Sequence, residues 1–312
     1  MSFAATRVPP APLLDEFQGS WRRVNDKAAF AILLLSWLGL FQFFGVSSGA
    51  WTHNYSLPAR LWMLYDSPGA DLEYAKLVPF AVLALLWHKR DRFAAVVPGP
   101  RWPSLVLLGF ALALHVVGFL AQQESISTIA LFLGLYSLVG VVWAWGVMRE
   151  AFFPFVLFAF CIPLGSLMDT LTFRLRVIAT VLTEFVSHTL LDVPLTRQGT
   201  ALIKPNGHAF EVVAACSGLH SFTALLVVTT IFAMVSLKTF ARRAFLIAIT
   251  VPLAVACNVL RLTAMVVADR AFGPKAGAFV HDTDWILTYG IAIASIMFLG
   301  HWLREKSPPP VL

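Results

Sequence analysis

The sequence predicts an all-α polytopic membrane protein, and three observations lead there. Residues of the AVILMFWYC set make up 58% of the 312-residue chain, charged residues only 13%, and the mean hydropathy is +0.76. A soluble domain of this size needs far more polar surface. The apolar residues also gather into runs of spanning length, and most of the 23 Lys and Arg stand in the segments between those runs. A net charge of +6 arranged that way is a topology signal rather than a nucleic-acid-binding stripe, so no nucleic acid is expected as a partner.

In chain order, residues 1–27 lack the apolar core and small-residue cleavage site of a secretory signal and read as a cytoplasmic tail. Spans are expected over 28–50, 72–88, 103–121, 127–148 and 151–168, making 28–168 a block of five helices. Three more, over 217–236, 244–266 and 285–303, fall in a second block, 216–303, followed by a short cytoplasmic tail, 304–312. At about 20 residues per crossing this gives about eight transmembrane helices. "WRRVNDK", "HKRDR" with Arg101, Arg149, "KTFARR" and "REK" then mark one side as cytoplasmic, with both termini on it.

Between the blocks, 169–215 is expected outside. Its first part, "TLTFRLRVIATVLTEFVSHTLL" (170–191), mixes apolar residues at helical spacing with Arg174, Arg176, Glu184 and His188, the pattern of an interfacial helix. Counting it as a further span would move Cys216 to the opposite side. After it, "PNG" between two short β-prone runs predicts a small external hairpin leading directly into the sixth span.

With this topology Cys216, Arg261 and His281 reach one outer level. Arg261 costs about 2.5–3.5 kcal/mol within a membrane helix on insertion scales. It calls for a partner or a cavity, or else it snorkels to headgroups from a place near the helix end. Asn258, three residues earlier in "CNVLRLT", shares its face and argues for a lined cavity. Cys216 opens a helix, where unpaired N–H groups and the dipole favour thiolate. That dipole contributes about 0.3–1 kcal/mol, under one pKa unit, so a neighbouring cation such as Arg261 or protonated His281 is needed. Against this stands the common fate of a free cysteine, which is to pack as a small hydrophobe; Cys161 and Cys257 read that way. An unpaired external thiol is a liability unless it is used.

His220 lies four residues after Cys216, on the same helical face, and is one candidate for a local base beside His281. His281 has Asp282 and Asp284 as neighbours able to orient an imidazole, although a lone loop histidine is also an ordinary solvated residue. A zinc site from Cys216, His220, His208 and His281 matches no standard ligand spacing.

"AACSGLHS", "NVLRLT" and "HDTDW", in that order at helix ends, resemble the three signature blocks of the exosortase/archaeosortase family of membrane transpeptidases. "FPFVLFAFCIPLG" and "LTFRLRVIAT" are similar to its central region, so the resemblance covers roughly residues 150–290. Two positions depart from the family pattern: His220 follows "CSGL" where Arg is usual, and Asp284 takes a usual Gly position.

The resemblance implies a cysteine-dependent sorting enzyme of the cytoplasmic membrane, with its active site on the extracytoplasmic side and no cofactor. Its partners would be membrane lipids, an acceptor molecule and secreted proteins ending in a short motif (Pro-Glu-Pro in the bacterial branch), a transmembrane helix and a basic cluster. Cys216 would be the nucleophile, Arg261 the cationic stabiliser and His281 the acid/base, with Asn258, His220, Ser217 and Asp282 in support. Two readings of other classes stay open: a transporter lined by Arg261 and Asn258, and a membrane acyl- or glycosyltransferase that does not use Cys216.

Overall fold

The computed structural model describes residue 19 and residues 25–47, 54–67, 72–204, 209–211 and 219–304. It is an all-α membrane protein with two small antiparallel sheets. Among the described residues three helices are long and apolar enough to cross a membrane: Trp102–Leu120, Glu124–Cys161 and Phe240–Phe272. Lys27–Phe43 and Phe222–Ser236 are apolar but shorter. The chain divides into two compact units, Met1–Arg60 with Val82–Val156, and Leu61–Ala81 with Leu157–Leu312.

The first unit is built on α1 (Lys27–Phe43), α5 (Trp102–Leu120) and α6 (Glu124–Val156). In chain order before α5 come the pair β1 (Val46–Ser47) and β2 (Asn54–Tyr55), α2 (Leu57–Asp66), which passes into the second unit at Leu61, α3 (Val78–His88), which returns to the first unit at Val82, and α4 (Arg90–Ala95). Trp37 of α1 donates its indole N–H to the Leu131 carbonyl at 3.0 Å, over Gly134, where a Cβ would overlap the ring. Large apolar side chains such as Leu35, Val106 and Phe110 point outward, as lipid-facing residues do.

α6 corrects the expected pair 127–148 and 151–168. Arg149 does not lie in a loop between two helices: the helix runs through it, Lys89 bonds the Glu150 carbonyl at 2.8 Å, and a 3-10 turn, Leu157–Cys161, follows. The interruption comes earlier, at buried Ala144, with φ 73 and ψ 169, a region that costs a non-glycine residue about 1–3 kcal/mol. Pro100 and Arg101 replace the lost helical partners there. Trp145 N–H donates to the Pro100 carbonyl at 3.3 Å, and the Arg101 guanidinium donates to the Val142 carbonyl at 3.1 Å. The expected span 72–88 is also different, for only an 11-residue helix, α3, follows a 3-10 turn at Glu73–Leu77.

The second unit holds α7 (Ser166–Leu190), the sheet β3 (Thr196–Gln198), β4 (Ala201–Ile203) and β5 (Ala209–Glu211), then α8 (Leu219–Ser236), α9 (Phe240–Phe272) and α10 (Pro274–Trp302). α7 is the helix expected over 170–191. Its inward stripe is small and polar, Thr172, Ala179, Thr180, Thr183 and Ser187, while Phe173, Ile178 and Phe185 face out. Thr172 and Thr183 bond their own helix's carbonyls at 2.7 and 2.8 Å, which lets hydroxyls pack against a neighbouring helix without loss.

The hairpin expected before α8 is present with one strand more than expected. β4 pairs antiparallel with β5 across the "PNG" segment, and also with β3 across a two-residue turn in which Gly199 takes φ 64. At the other end of the unit, α10 starts at Pro274 rather than near 285, because Gly273 at φ 87 ends α9 and Pro274 opens the next helix.

Candidate functional site

Arg261 and Asn258 lie on one face of α9, three residues apart, and both are buried, at 8% and 9% exposure. α9 continues to Phe272, so Arg261 stands about three turns before the helix end instead of one or two. The Arg261 side chain is thus packed against protein, inside a helix of spanning length. The Asn258 Oδ1 is buried with no hydrogen-bond partner among the described residues, the state of a polar group that lines an interior able to receive one.

What stands next to this face follows from packing. Leu262 and Met265 form an apolar cluster with Val280 of α10, so the neighbours of Arg261 and His281 in sequence touch. His281 lies about two turns into α10, and along the antiparallel pair α9–α10 it comes within about one turn of the level of Arg261. A second cluster joins Leu225 of α8 to Ala292 and Ile296 of α10, with Leu253, Ala254 and Cys257 of α9 against it. His220, five residues before Leu225, is therefore placed about 7–8 Å further along α8, in the direction of Arg261. The backbones of His220 and His281 are described and their side chains are not; the same holds for Asp282. Cys216 and Ser217 lie outside the described residues.

Helix boundaries and the sheet govern the approach to that region. β5 ends at Glu211, five residues before Cys216. The sheet is tied to α7 by the Arg197 N–H, which donates to Glu184 Oε1 at 3.1 Å. It is tied to the end of α9 by the buried carboxylate of Asp269, ion-paired with Lys204. Arg270 donates to the carbonyls of Leu191 and Asp192 at 2.7 and 2.8 Å. Asp269 and Lys204 were not singled out by sequence. The one available signal was an acidic residue near the end of an otherwise apolar helix.

Cys161 and Cys257 are packing residues, as expected. Cys161 is buried, its thiol directed at the Ala75 carbonyl at 3.6 Å, and its own carbonyl accepts a 2.5 Å bond from Tyr65. Burial raises the pKa of that phenol and keeps it a neutral donor. Cys257 sits against the Leu225–Ala292–Ile296 cluster.

A family model described as transmembrane exosortase matches residues 66–299, well over half of the chain, and the chain belongs to that family. No curated protein matches it, and no solved structure matches it.

Proposed function

We propose that this member of the transmembrane exosortase family is a cysteine transpeptidase of the cytoplasmic membrane, with about eight spans and its site on the extracytoplasmic side. Its substrates are exported proteins carrying a C-terminal sorting signal of the Pro-Glu-Pro, membrane helix and basic cluster type. The observation that carries the reading is the buried Arg261–Asn258 face of α9, held by the Leu262–Met265–Val280 cluster beside the helix of His281.

In the reaction, the Cys216 thiolate attacks a peptide carbonyl near the motif. Arg261 stabilises the oxyanion of the tetrahedral intermediate, where a fixed cation in a low-dielectric interior counts for far more than in water. Collapse of that intermediate breaks the C–N bond and forms a thioester. A protonated histidine, His281 in this proposal with His220 as the second candidate, gives its proton to the leaving amine. The same imidazole then takes a proton from the acceptor nucleophile, which attacks the thioester and releases the thiolate. The signal helix departs into the bilayer. Asn258 donates its amide N–H to the carbonyl being attacked, and Ser217 and Asp282 support the thiol and the imidazole.

A transporter lined by Arg261 and Asn258 calls for paired broken helices. The break in α6 is instead closed by Pro100 and Arg101, with its backbone groups bonded to protein.

The test is coexpression of wild type and Cys216→Ala with a secreted reporter ending in the sorting signal. Wild type shortens the reporter and releases it from the membrane, whereas Cys216→Ala leaves it full length. Processing that continues at the wild-type rate in the variant defeats the cysteine mechanism and favours a transferase that does not use this thiol. Labelling of Cys216 by a membrane-impermeant thiol reagent on intact cells checks the orientation, and protection until lysis would reverse it.

A further inference from the structure

We propose that Asp269 and Lys204 are positioning residues for the sorting reaction, fixing the sheet that leads into Cys216 against the helices that carry Arg261 and His281. The inference rests on the function proposed above and adds two residues to it.

Asp269 occupies a junction. Along α9 it lies two turns beyond Arg261 on the same buried face, with Met265 between them. Across α10 it abuts Gly277, one turn before His281, where an added Cβ would come 2.8 Å from the Asp269 Cβ. On its third side it meets Lys204, the residue that follows β4, the central strand of the sheet. The two side chains are 3% and 17% exposed, so little solvent screens the pair. Three elements, each carrying or leading to one proposed site residue, thus converge on a single carboxylate.

Neighbouring contacts repeat the same function with less directionality. Val193 and Leu195, just before β3, pack on Val266 of α9, and Arg270 holds the Leu191 and Asp192 carbonyls. Such apolar and carbonyl contacts hold the sheet near α9 but tolerate sliding. An ion pair between a strand end and a helix end fixes register, the best-attested use of a buried pair. β4 pairs with β5, which ends five residues before Cys216 in the sequence. A reacting group displaced by about 1 Å can cost about 100-fold in rate.

The experiment uses the full chain in proteoliposomes and the same sorting-signal reporter. Turnover is expressed per Cys216 thiol titrated by alkylation and quantified by peptide mass spectrometry, on protein taken from the monodisperse fraction so that misfolded chains are left out. Asp269→Asn and Lys204→Met should each lower kcat about 100-fold with KM little changed. The exchange Lys204→Asp with Asp269→Lys should recover part of the loss. The apolar pair Lys204→Met with Asp269→Leu should titrate as wild type does yet turn over slowly. Wild-type turnover per thiol in either single variant, or in the apolar pair, overturns the proposal while leaving the cysteine mechanism standing. Where the single variants fail to accumulate, the exchange and the apolar pair carry the test alone. Cys216→Ala, run in parallel, separates the two failures: activity there removes the underlying function as well.

Discussion

The two units of this protein treat buried polar groups differently, and the difference points to where chemistry belongs. In the first unit the polar side chains inside are spent on structure. Trp37 bonds the Leu131 carbonyl, Ser137 the Gly134 carbonyl, and Arg101 the carbonyl exposed by the break at Ala144. His115 differs, with one buried ring nitrogen that has no hydrogen-bond partner among the described residues. The second unit buries Asn258 Oδ1, Ser187 Oγ, Thr229 Oγ1 and Thr263 Oγ1 without partners among the described residues, and buries Arg261 three residues from Asn258 on α9. Each such atom costs about 1–3 kcal/mol of lost hydration. Asn258 bears that cost on the helical face it shares with buried Arg261, the face that the proposed function assigns to the substrate.

The sharpest way to break that contrast is to neutralise the cation while keeping its volume. Arg261→Met should lower turnover per folded molecule by about 10²–10³, the loss typical of one oxyanion stabiliser. Reporter processing and a thermal melt on the same preparation decide it. A variant that melts early and keeps its turnover per folded molecule would make Arg261 a structural residue.

The mirror experiment is in the first unit. Gly134→Ala gains about 1 kcal/mol of helix propensity, but its methyl overlaps the Trp37 indole, and overpacking costs about 1–3 kcal/mol. The overlap wins, so the melting temperature should fall while turnover per folded molecule stays at the wild-type value. A specific loss of turnover would show that the first unit takes part in the chemistry.

The smallest expected effect is at the break. Ala144→Gly relieves about 1–3 kcal/mol of backbone strain and loses about 0.5–1 kcal/mol to glycine's unfolded-state entropy. A gain on the order of 1 kcal/mol in denaturant unfolding is expected, with activity unchanged. A loss of stability would mean that the conformation at Ala144 is not strained.

How much of this was legible in the sequence follows from these same residues. Composition and apolar runs gave the class, because lipid exposure acts on every residue of a span. Asn258 and Arg261 were legible as a pair since their spacing of three places them on one helical face whatever surrounds the helix. Helix ends were less legible. Arg149 reads as loop because a charge is costly in an apolar run, but Lys89 offsets the neighbouring Glu150, and the helix continues through both. The start of α10 was hidden by Lys275, His281, Asp282 and Asp284, although Gly273-Pro274 marks it. The Asp269–Lys204 pair was out of reach, since two residues 65 positions apart meet only once the sheet has folded against α9.

The thioester at Cys216 is the step on which the proposed function stands, and trapping reads it out. Wild-type protein is given the reporter at acid pH, denatured within seconds, digested, and searched by mass spectrometry for reporter peptide attached to the chain. The expected result is the new carboxyl end of the reporter joined to Cys216 by a hydroxylamine-labile bond in wild type, and no such adduct in Cys216→Ala. Cleaved reporter with no adduct at Cys216, or an adduct on another residue, would contradict it.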